Sequence, residues 1–298
     1  MSGRIPPWLI PAVPKKRHLE KLGRELAEMG VHTVCQSAKC PNLGDCFSRR
    51  TATFMIMGEV CTRDCRFCAV AHGRPQPLDS GEPERVAKAA KRLELRYVVV
   101  TSVTRDDLSD GGAGHFARTV TTLRDFLPGS RVEVLVPDFR GKAECMERVV
   151  EAGPNVFGHN VETAPRLYHS IRPQADYRRS LEMLRRAGQA SPPTVTKSGF
   201  MLGLGESRSE VLSLLADLRE AGVRAVTIGQ YLPPSREHAR VVEYVPPQVF
   251  AEYGQSAREM GFAHVSSGPL VRSSYRAEEL HVHLRCTNQG VAPEAPPS

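Results

Sequence analysis

Residues 51–70 read TATFMIMGEVCTRDCRFCAV. The first seven, Thr51–Met57, are apolar or β-branched without alternation, the pattern of a strand buried on both faces. Cys61, Cys65 and Cys68 follow directly, spaced C-x3-C-x2-C. Thiols placed just after a buried strand lie in a loop at the carboxyl end of a sheet, where α/β folds put their ligand sites.

Downstream of this stretch the pattern repeats. Tyr97–Val103, Arg131–Val136, Asn155–Asn160, Thr194–Leu202 and Ala225–Gln230 read as further buried strands. Between them lie helical patterns over Glu82–Leu93, His115–Leu127, Lys142–Ala152, Tyr177–Ala187 and Ser207–Ala221. In the last, Ser207 and Glu210 have capping-box spacing, Val211, Leu214, Leu215 and Leu218 share a face, and Gly222 ends it. Alternation of this kind implies a parallel sheet with helices outside. Six strand–helix units fall short of eight. The expected fold is therefore α/β, a partial, open six-stranded parallel β/α barrel with N-terminal and C-terminal extensions; the pattern alone also fits a doubly wound sheet. The barrel core is expected over 51–232. Residues 1–50 form an N-terminal extension with a helix over His18–Met29. Residues 233–277 form a C-terminal extension with a helix over Pro247–Met260 and a strand over Phe262–Ser266. Residues 278–298 form a tail whose end, VAPEAPPS, has a disordered composition.

The chain has 298 residues, 41% hydrophobic and 24% charged, which excludes a wholly disordered, collagen-like or many-span membrane protein. No apolar run approaches the roughly 18–20 residues of a membrane span, and the first residues lack the layout of a secretory signal. A cytoplasmic location is expected. The net charge of +7 favours acidic partners, but aromatics at 6% and the absence of a basic run argue against nucleic acid. Eight cysteines in a reducing compartment point to metal or redox chemistry.

The cysteines fall into two trios. Cys61, Cys65 and Cys68 lack a fourth cysteine nearby; structural zinc would need one more ligand, for which His72 could serve, whereas a 4Fe–4S cluster on three thiolates keeps one iron open. Cys35, Cys40 and Cys46 form a second trio, C-x4-C-x5-C, in a loop turned by Pro41 and Gly44. Cys145 lies in a helical pattern and reads as a buried inert thiol, and Cys286, near His281 and His283, as part of the tail.

The C-x3-C-x2-C loop, with Phe67 before its last cysteine, resembles the signature of radical S-adenosylmethionine enzymes. The preceding trio narrows the resemblance to the lipoyl synthase family. VTSVTRDDLSDGGA, HNVETAPRLY, TKSGFMLGLGE, GQYLPPS and SSGPLVRSSYRA resemble that family as well, so the likeness runs from Cys35 to Ala277. The segment after Ala277, EELHVHLRCTNQG, departs from it. The resemblance implies insertion of two sulfur atoms at C6 and C8 of an octanoyl-lysine on a carrier protein. Such C–H bonds yield to no acid or base, so a 5′-deoxyadenosyl radical is required, and two S-adenosylmethionine molecules are used per product. Two 4Fe–4S clusters are implied: a radical cluster on Cys61, Cys65 and Cys68, and an auxiliary cluster on Cys35, Cys40 and Cys46 that donates the sulfur. By position in the RSSY segment the auxiliary cluster's fourth ligand falls to Ser274, with Ser273 second. An oxygen ligand suits an iron that must be released.

Further roles follow from the resemblance. Asp106, Asp107, Gly111 and Gly112 are candidates for the methionine amine; Asn160 and Glu162 for the ribose or amine; and Gly203, Gly205 and Glu206 for the adenine side. Helix capping and a tight strand–helix turn explain the acidic and glycine residues equally well. Phe67 is expected to pack the cluster loop. Implied partners are an octanoylated lipoyl-carrier domain or H-protein-like acceptor, a reduced ferredoxin- or flavodoxin-type electron donor and an iron–sulfur delivery protein. No nucleic acid or membrane is expected. Lys39, Arg49, Arg50 and Arg276 are candidates for a basic rim that steers the acidic carrier domain. Alternative readings are another radical sulfur-inserting or methylthio-adding enzyme, which need not contain the second trio, and an iron–sulfur electron carrier, which would cap both clusters with four protein ligands.

Overall fold

The structure, a computed structural model, describes residues 5–10, 24–34, 42, 51–191, 194–275 and 277–279. All six expected strands form: β2 (Thr51–Ile56), β5 (Tyr97–Ser102), β6 (Arg131–Leu135), β7 (Val156–Gly158), β8 (Val195–Leu202) and β9 (Ala225–Gln230). They pair in parallel in chain order. A seventh parallel strand, β10 (His264–Ser267), extends β9, and a short antiparallel strand, β1 (His32–Thr33), borders β2. Among the described residues β10 pairs only with β9 and β1 only with β2, so the barrel stays open. Two short strands outside this sheet, β3 (Val60–Cys61) and β4 (Ala71–His72), bracket the cysteine loop.

Six helices cover the outside: α1 (Glu82–Arg92), α2 (Ala113–Phe126), α3 (Ala143–Glu151), α4 (Tyr177–Gln189), α5 (Arg208–Glu220) and α6 (Pro247–Glu259). The even-numbered residues Ala52, Phe54 and Ile56 of β2, Val98 and Val100 of β5, and Val132 and Val134 of β6 pack with Val86 of α1, Phe116 and Val120 of α2 and Val149 of α3. Phe200, Leu202, Val226 and Ile228 pack with Val211, Leu214 and Leu218 of α5 and Phe250 of α6. One side-chain parity therefore meets the helices throughout. A doubly wound sheet would divide its helices between both faces; here the other parity, including Tyr97, Val99, Glu133, Lys197 and Thr227, turns inward. The capping box at Ser207 forms as expected.

Strand β7 is shorter than the expected Asn155–Asn160. A Cβ on Gly158 would crowd the Val134 carbonyl at 2.9 Å, and beyond it Glu162 adopts φ 64°. That left-handed turn lifts the chain off β6 and onto β8, where Glu162 bridges Phe200. Gly112, at φ 88°, starts α2 in left-handed geometry and lets the helix end approach Met57, with which a Cβ would collide. Of the expected helix over His18–Met29, residues 24–28 are helical and 18–23 lie outside the described residues. No described helix is long and apolar enough to cross a membrane.

His159 ties three elements together. Its Nδ1 donates to the Val136 carbonyl at 2.8 Å, and Nε2 lies 2.9 Å from Ser180 Oγ on α4. Burial pushes its pKa down to about 4. The unfolded chain therefore takes up this proton first, near the ordinary histidine value of 6.5, and stability is lost as pH falls from there toward 4. The loss attributable to His159 is roughly 3 kcal/mol. In urea titrations across that window, His159→Asn should start less stable but lose less; parallel curves for the two proteins would contradict the assignment.

Candidate functional site

The cysteine loop leaves β2 at the carboxyl end of the sheet and is fastened along its length. Cys61 closes β3 against β4, with Gly73 N–H donating to its carbonyl at 2.9 Å. Thr62 bonds the Thr104 carbonyl through N–H (3.0 Å) and hydroxyl (2.9 Å). Asp64 N–H donates to Gln174 Oε1 at 3.0 Å, and Arg66 N–H to the Ile171 carbonyl at 2.9 Å. From the other side, Ala239 N–H donates to the Arg66 carbonyl at 2.8 Å and His238 Nε2 to the Cys68 carbonyl at 3.0 Å. Phe67 packs with Leu167, Ile171, Leu204 and Tyr231, as expected.

Inside the loop sits a buried cation. Arg63 donates from Nε and Nη2 to the two oxygens of Asp106 (2.7 and 3.0 Å) and from Nη2 to Asp138 Oδ1 at 2.6 Å. Asp138 also accepts from Arg179 at 3.2 Å and from Arg140 N–H at 3.1 Å. Burial pulls the Asp138 carboxyl up, but the Arg63 guanidinium, helped by the Arg140 N–H, outweighs it and holds the carboxyl at about 2. This network lines an open pocket of about 650 Å³ between Thr62, Arg140, Gln174 and Arg179. Neither Arg63 nor Asp138 was singled out by the sequence; the signal available was an arginine within the C-x3-C spacing.

Burial pushes the Cys68 thiol up to about 11 and the Cys65 thiol upward as well, and each is raised further by its neighbouring cysteines. Three thiolates crowding one another in a recess need a cation core to neutralise them. Among the described residues no three Cys, His, Asp or Glu side chains converge as ligands of a single ion would; His72 is exposed, 3.7 Å from Asp64. A four-iron cluster, which gives each thiolate a different iron, fits the loop. Cys61 Sγ already accepts N–H groups from Arg63 (3.4 Å) and Thr104 (3.3 Å), which fix where the sulfur sits.

Facing the loop, Asn160 Nδ2 bridges Glu162 Oε1 (3.0 Å) and Ser273 Oγ (2.6 Å). Glu162 combines strained backbone with a carboxyl raised by burial, a pairing typical of ligand sites. Arg172, missed in the sequence, acts electrostatically on both Glu162 and Cys65. It donates from Nη1 to the Asn160 and Val161 carbonyls (3.0 and 3.2 Å), while its buried Nε has no hydrogen-bond partner. Other candidates are engaged in local structure. Asp106 is held by Arg63, and Asp107 pairs with Arg105 at 2.8 Å. Gly111 and Gly112 form the turn into α2. Glu206 accepts the N–H groups of Gly203 and Leu204, and Gly203 and Gly205 pack against the 242–243 backbone and Val242 side chain. Cys145 is buried in α3. Cys35, Cys40, Cys46, Lys39, Arg49, Arg50, Arg276, His281, His283 and Cys286 lie outside the described residues. Within the second cysteine trio Asn42 is described: buried, it donates from Nδ2 to the Leu270 carbonyl at 2.7 Å. Ser274 lies four residues beyond Leu270, in a half-buried turn.

Comparison with known proteins adds identity to this geometry. The sequence profile of the radical SAM superfamily matches residues 55–218. A lipoyl synthase of Caldanaerobacter subterraneus subsp. tengcongensis is 57% identical over 278 residues, covering 93% of this chain and 97% of that one. A lipoyl synthase of Rubrobacter xylanophilus is 53% identical, covering 92% and 85%. The crystal structure of methylornithine synthase shares the fold, with a TM-score of 0.53 at 15% identity over 95% of this chain and 91% of that one.

Removing the buried cation should unsettle the loop. Arg63→Met leaves Asp138 and Asp106 without their shared partner, a change that costs about 3 kcal/mol. Arg63→Lys should not restore it, because an ammonium lacks the planar fork that reaches two carboxylates. Urea denaturation checks this; a loss below about 1 kcal/mol would contradict the reading.

Proposed function

The chain belongs to the lipoyl synthase family of radical S-adenosylmethionine enzymes, and from that premise we propose how its residues divide the work. Its activity is the sulfur insertion that makes a lipoyl group, with a 4Fe–4S cluster and S-adenosylmethionine as cofactors. When bound, these supply reductive cleavage of the sulfonium, removal of hydrogen atoms from unactivated carbon and, through a second cluster, the sulfur. The remaining steps fall to side chains.

Cys61, Cys65 and Cys68 would hold the radical cluster. Arg63 and the backbone bonds to Thr104, Ile171 and Ala239 hold that loop in place, so the three thiolates would present one fixed ligand set. Asn160 and Glu162 offer an amide and a carboxylate to the ribose or amine of S-adenosylmethionine. Arg172, with an unused Nε–H, suits the methionine carboxylate. Asp106, Asp107, Gly111, Gly112, Gly203, Gly205 and Glu206 would act from the surrounding loops: their present bonds favour shaping the rim over direct contact.

Cys35, Cys40, Cys46 and Ser274 would hold an auxiliary cluster, the sulfur donor. The observation that carries this reading is the bond from Asn42, inside the N-terminal trio, to Leu270, in the turn before Ser274. It joins two stretches 228 residues apart in sequence, as a shared ligand set requires. Ser273, turned toward Asn160, suits an orienting role. An octanoylated lipoyl-carrier domain or H-protein-like acceptor is the proposed substrate. A reduced ferredoxin- or flavodoxin-type protein would donate electrons, and an iron–sulfur delivery protein would rebuild the consumed cluster.

Reconstituted protein should carry about eight irons and eight sulfides. The Cys61→Ala, Cys65→Ala, Cys68→Ala triple variant should keep one cluster and form no 5′-deoxyadenosine. The Cys35→Ala, Cys40→Ala, Cys46→Ala triple variant should still cleave S-adenosylmethionine but insert no sulfur. Equal loss of both activities in the second variant would reduce the N-terminal trio to a structural role.

A further inference from the structure

Branched apolar side chains normally fill an α/β barrel. This one holds an ion pair and a stretch of its own chain. Lys197 Nζ on β8 lies 2.8 Å from Glu133 Oε1 on β6, both side chains 5% exposed or less. The second carboxylate oxygen accepts the Tyr97 hydroxyl of β5 at 2.7 Å. Beyond β10 the chain turns into the same interior. A Cβ on Gly229 would collide with the Val271 carbonyl, and one on Gly199, which would strike Thr227 Oγ1 first, would come within contact distance of Ser273 Oγ at 3.4 Å. Ala277 packs against Tyr97 and Val99, and Glu278 Oε2 accepts the Thr51 hydroxyl at 3.1 Å. Residues 271–275 thus lie on the Asn160 side of the barrel and 277–279 at the start of β2.

A buried ion pair gives little stability over apolar residues of the same volume, because desolvation offsets the attraction. What it does supply is direction. Glu133 spends one oxygen on Lys197 and the other on Tyr97, which fixes the phenol ring on which Ala277 rests. A hydroxyl is a weak ligand for iron, so its occupancy depends on how closely the chain holds it in place. We propose that Lys197 and Glu133 are positioning residues: acting through Tyr97, they set how segment 271–279 sits in the barrel, and with it the serine hydroxyl offered to the auxiliary cluster. The second half of this proposal rests on Ser274 being that ligand.

The test pairs amide exchange with iron release on the full chain. Lys197→Met with Glu133→Leu removes both charges and keeps the volume but takes the acceptor from the Tyr97 hydroxyl, so Tm should fall by a few degrees at most. Gly229→Ala leaves the ion pair intact and pushes Val271 from the opposite side, which covers the case in which the double variant fails to fold. In both, amides of 271–279 should exchange about tenfold faster while β5 and β8 stay protected. Unchanged exchange in 271–279, or faster exchange spread over the whole sheet with a larger fall in Tm, overturns the positioning role. Iron release to a chelator is then followed in the Cys61→Ala, Cys65→Ala, Cys68→Ala background, which retains only the auxiliary cluster. Release should also quicken about tenfold. Faster exchange with unchanged iron release supports the positioning of the segment and overturns the serine as ligand.

Discussion

Arg63 is flanked by the first two cysteines of the loop, and its guanidinium is removed from water by two carboxylates from two different strand ends. Asp106 follows β5 and Asp138 follows β6, so the cation ties the loop after β2 to the next two units of the barrel. Desolvating three charges is tolerable only because each finds its partner at short range. The backbone bonds to Thr104, Ile171 and Ala239 then fix the rest of the loop against the far side of the barrel mouth. A loop held at both sides can keep three half-buried thiols close to one another, where a free loop would let them separate.

The rest of the site is arranged around that fixed loop. Strand β7 ends early because Glu162 must turn left-handed, and this brings Asn160, Glu162 and Arg172 opposite the cysteines. Ser273 joins them through Asn160, and Asn42 reaches the same C-terminal turn from the N-terminal cysteine stretch. Asn42, ahead of the barrel strands, and residues 270–273, beyond them, therefore come together beside Asn160.

Much of this was legible in the sequence. Unbroken β-branched runs and the 3.6-residue face of α5 marked six strands and their helices to within a few residues, and the family resemblance carried by the cysteine spacings and later motifs implied the chemistry. What escaped were contacts that no local pattern encodes. Arg63, Arg172, Lys197 and Glu133 look like surface charges when read singly; only pairing across 64 residues puts Lys197 beside Glu133 in the core. The seventh strand, β10, was expected at Phe262–Ser266, though its addition to the barrel was not, since a strand beyond Pro-rich and basic sequence carries no topological signal. The glycines of 111–112 and 203–205 illustrate the converse: a motif likeness drew attention to them, and their left-handed or crowded backbone explains them locally.

The most direct measurement is anaerobic. Reconstituted protein, a low-potential reductant, S-adenosylmethionine and an octanoyl-lysine peptide are mixed, and the peptide and nucleoside products are followed by mass spectrometry. The account predicts a peptide in which two hydrogens have been replaced by two sulfurs, with two molecules of 5′-deoxyadenosine formed for each. Formation of 5′-deoxyadenosine with no sulfur in the peptide, from protein carrying both clusters, would contradict it.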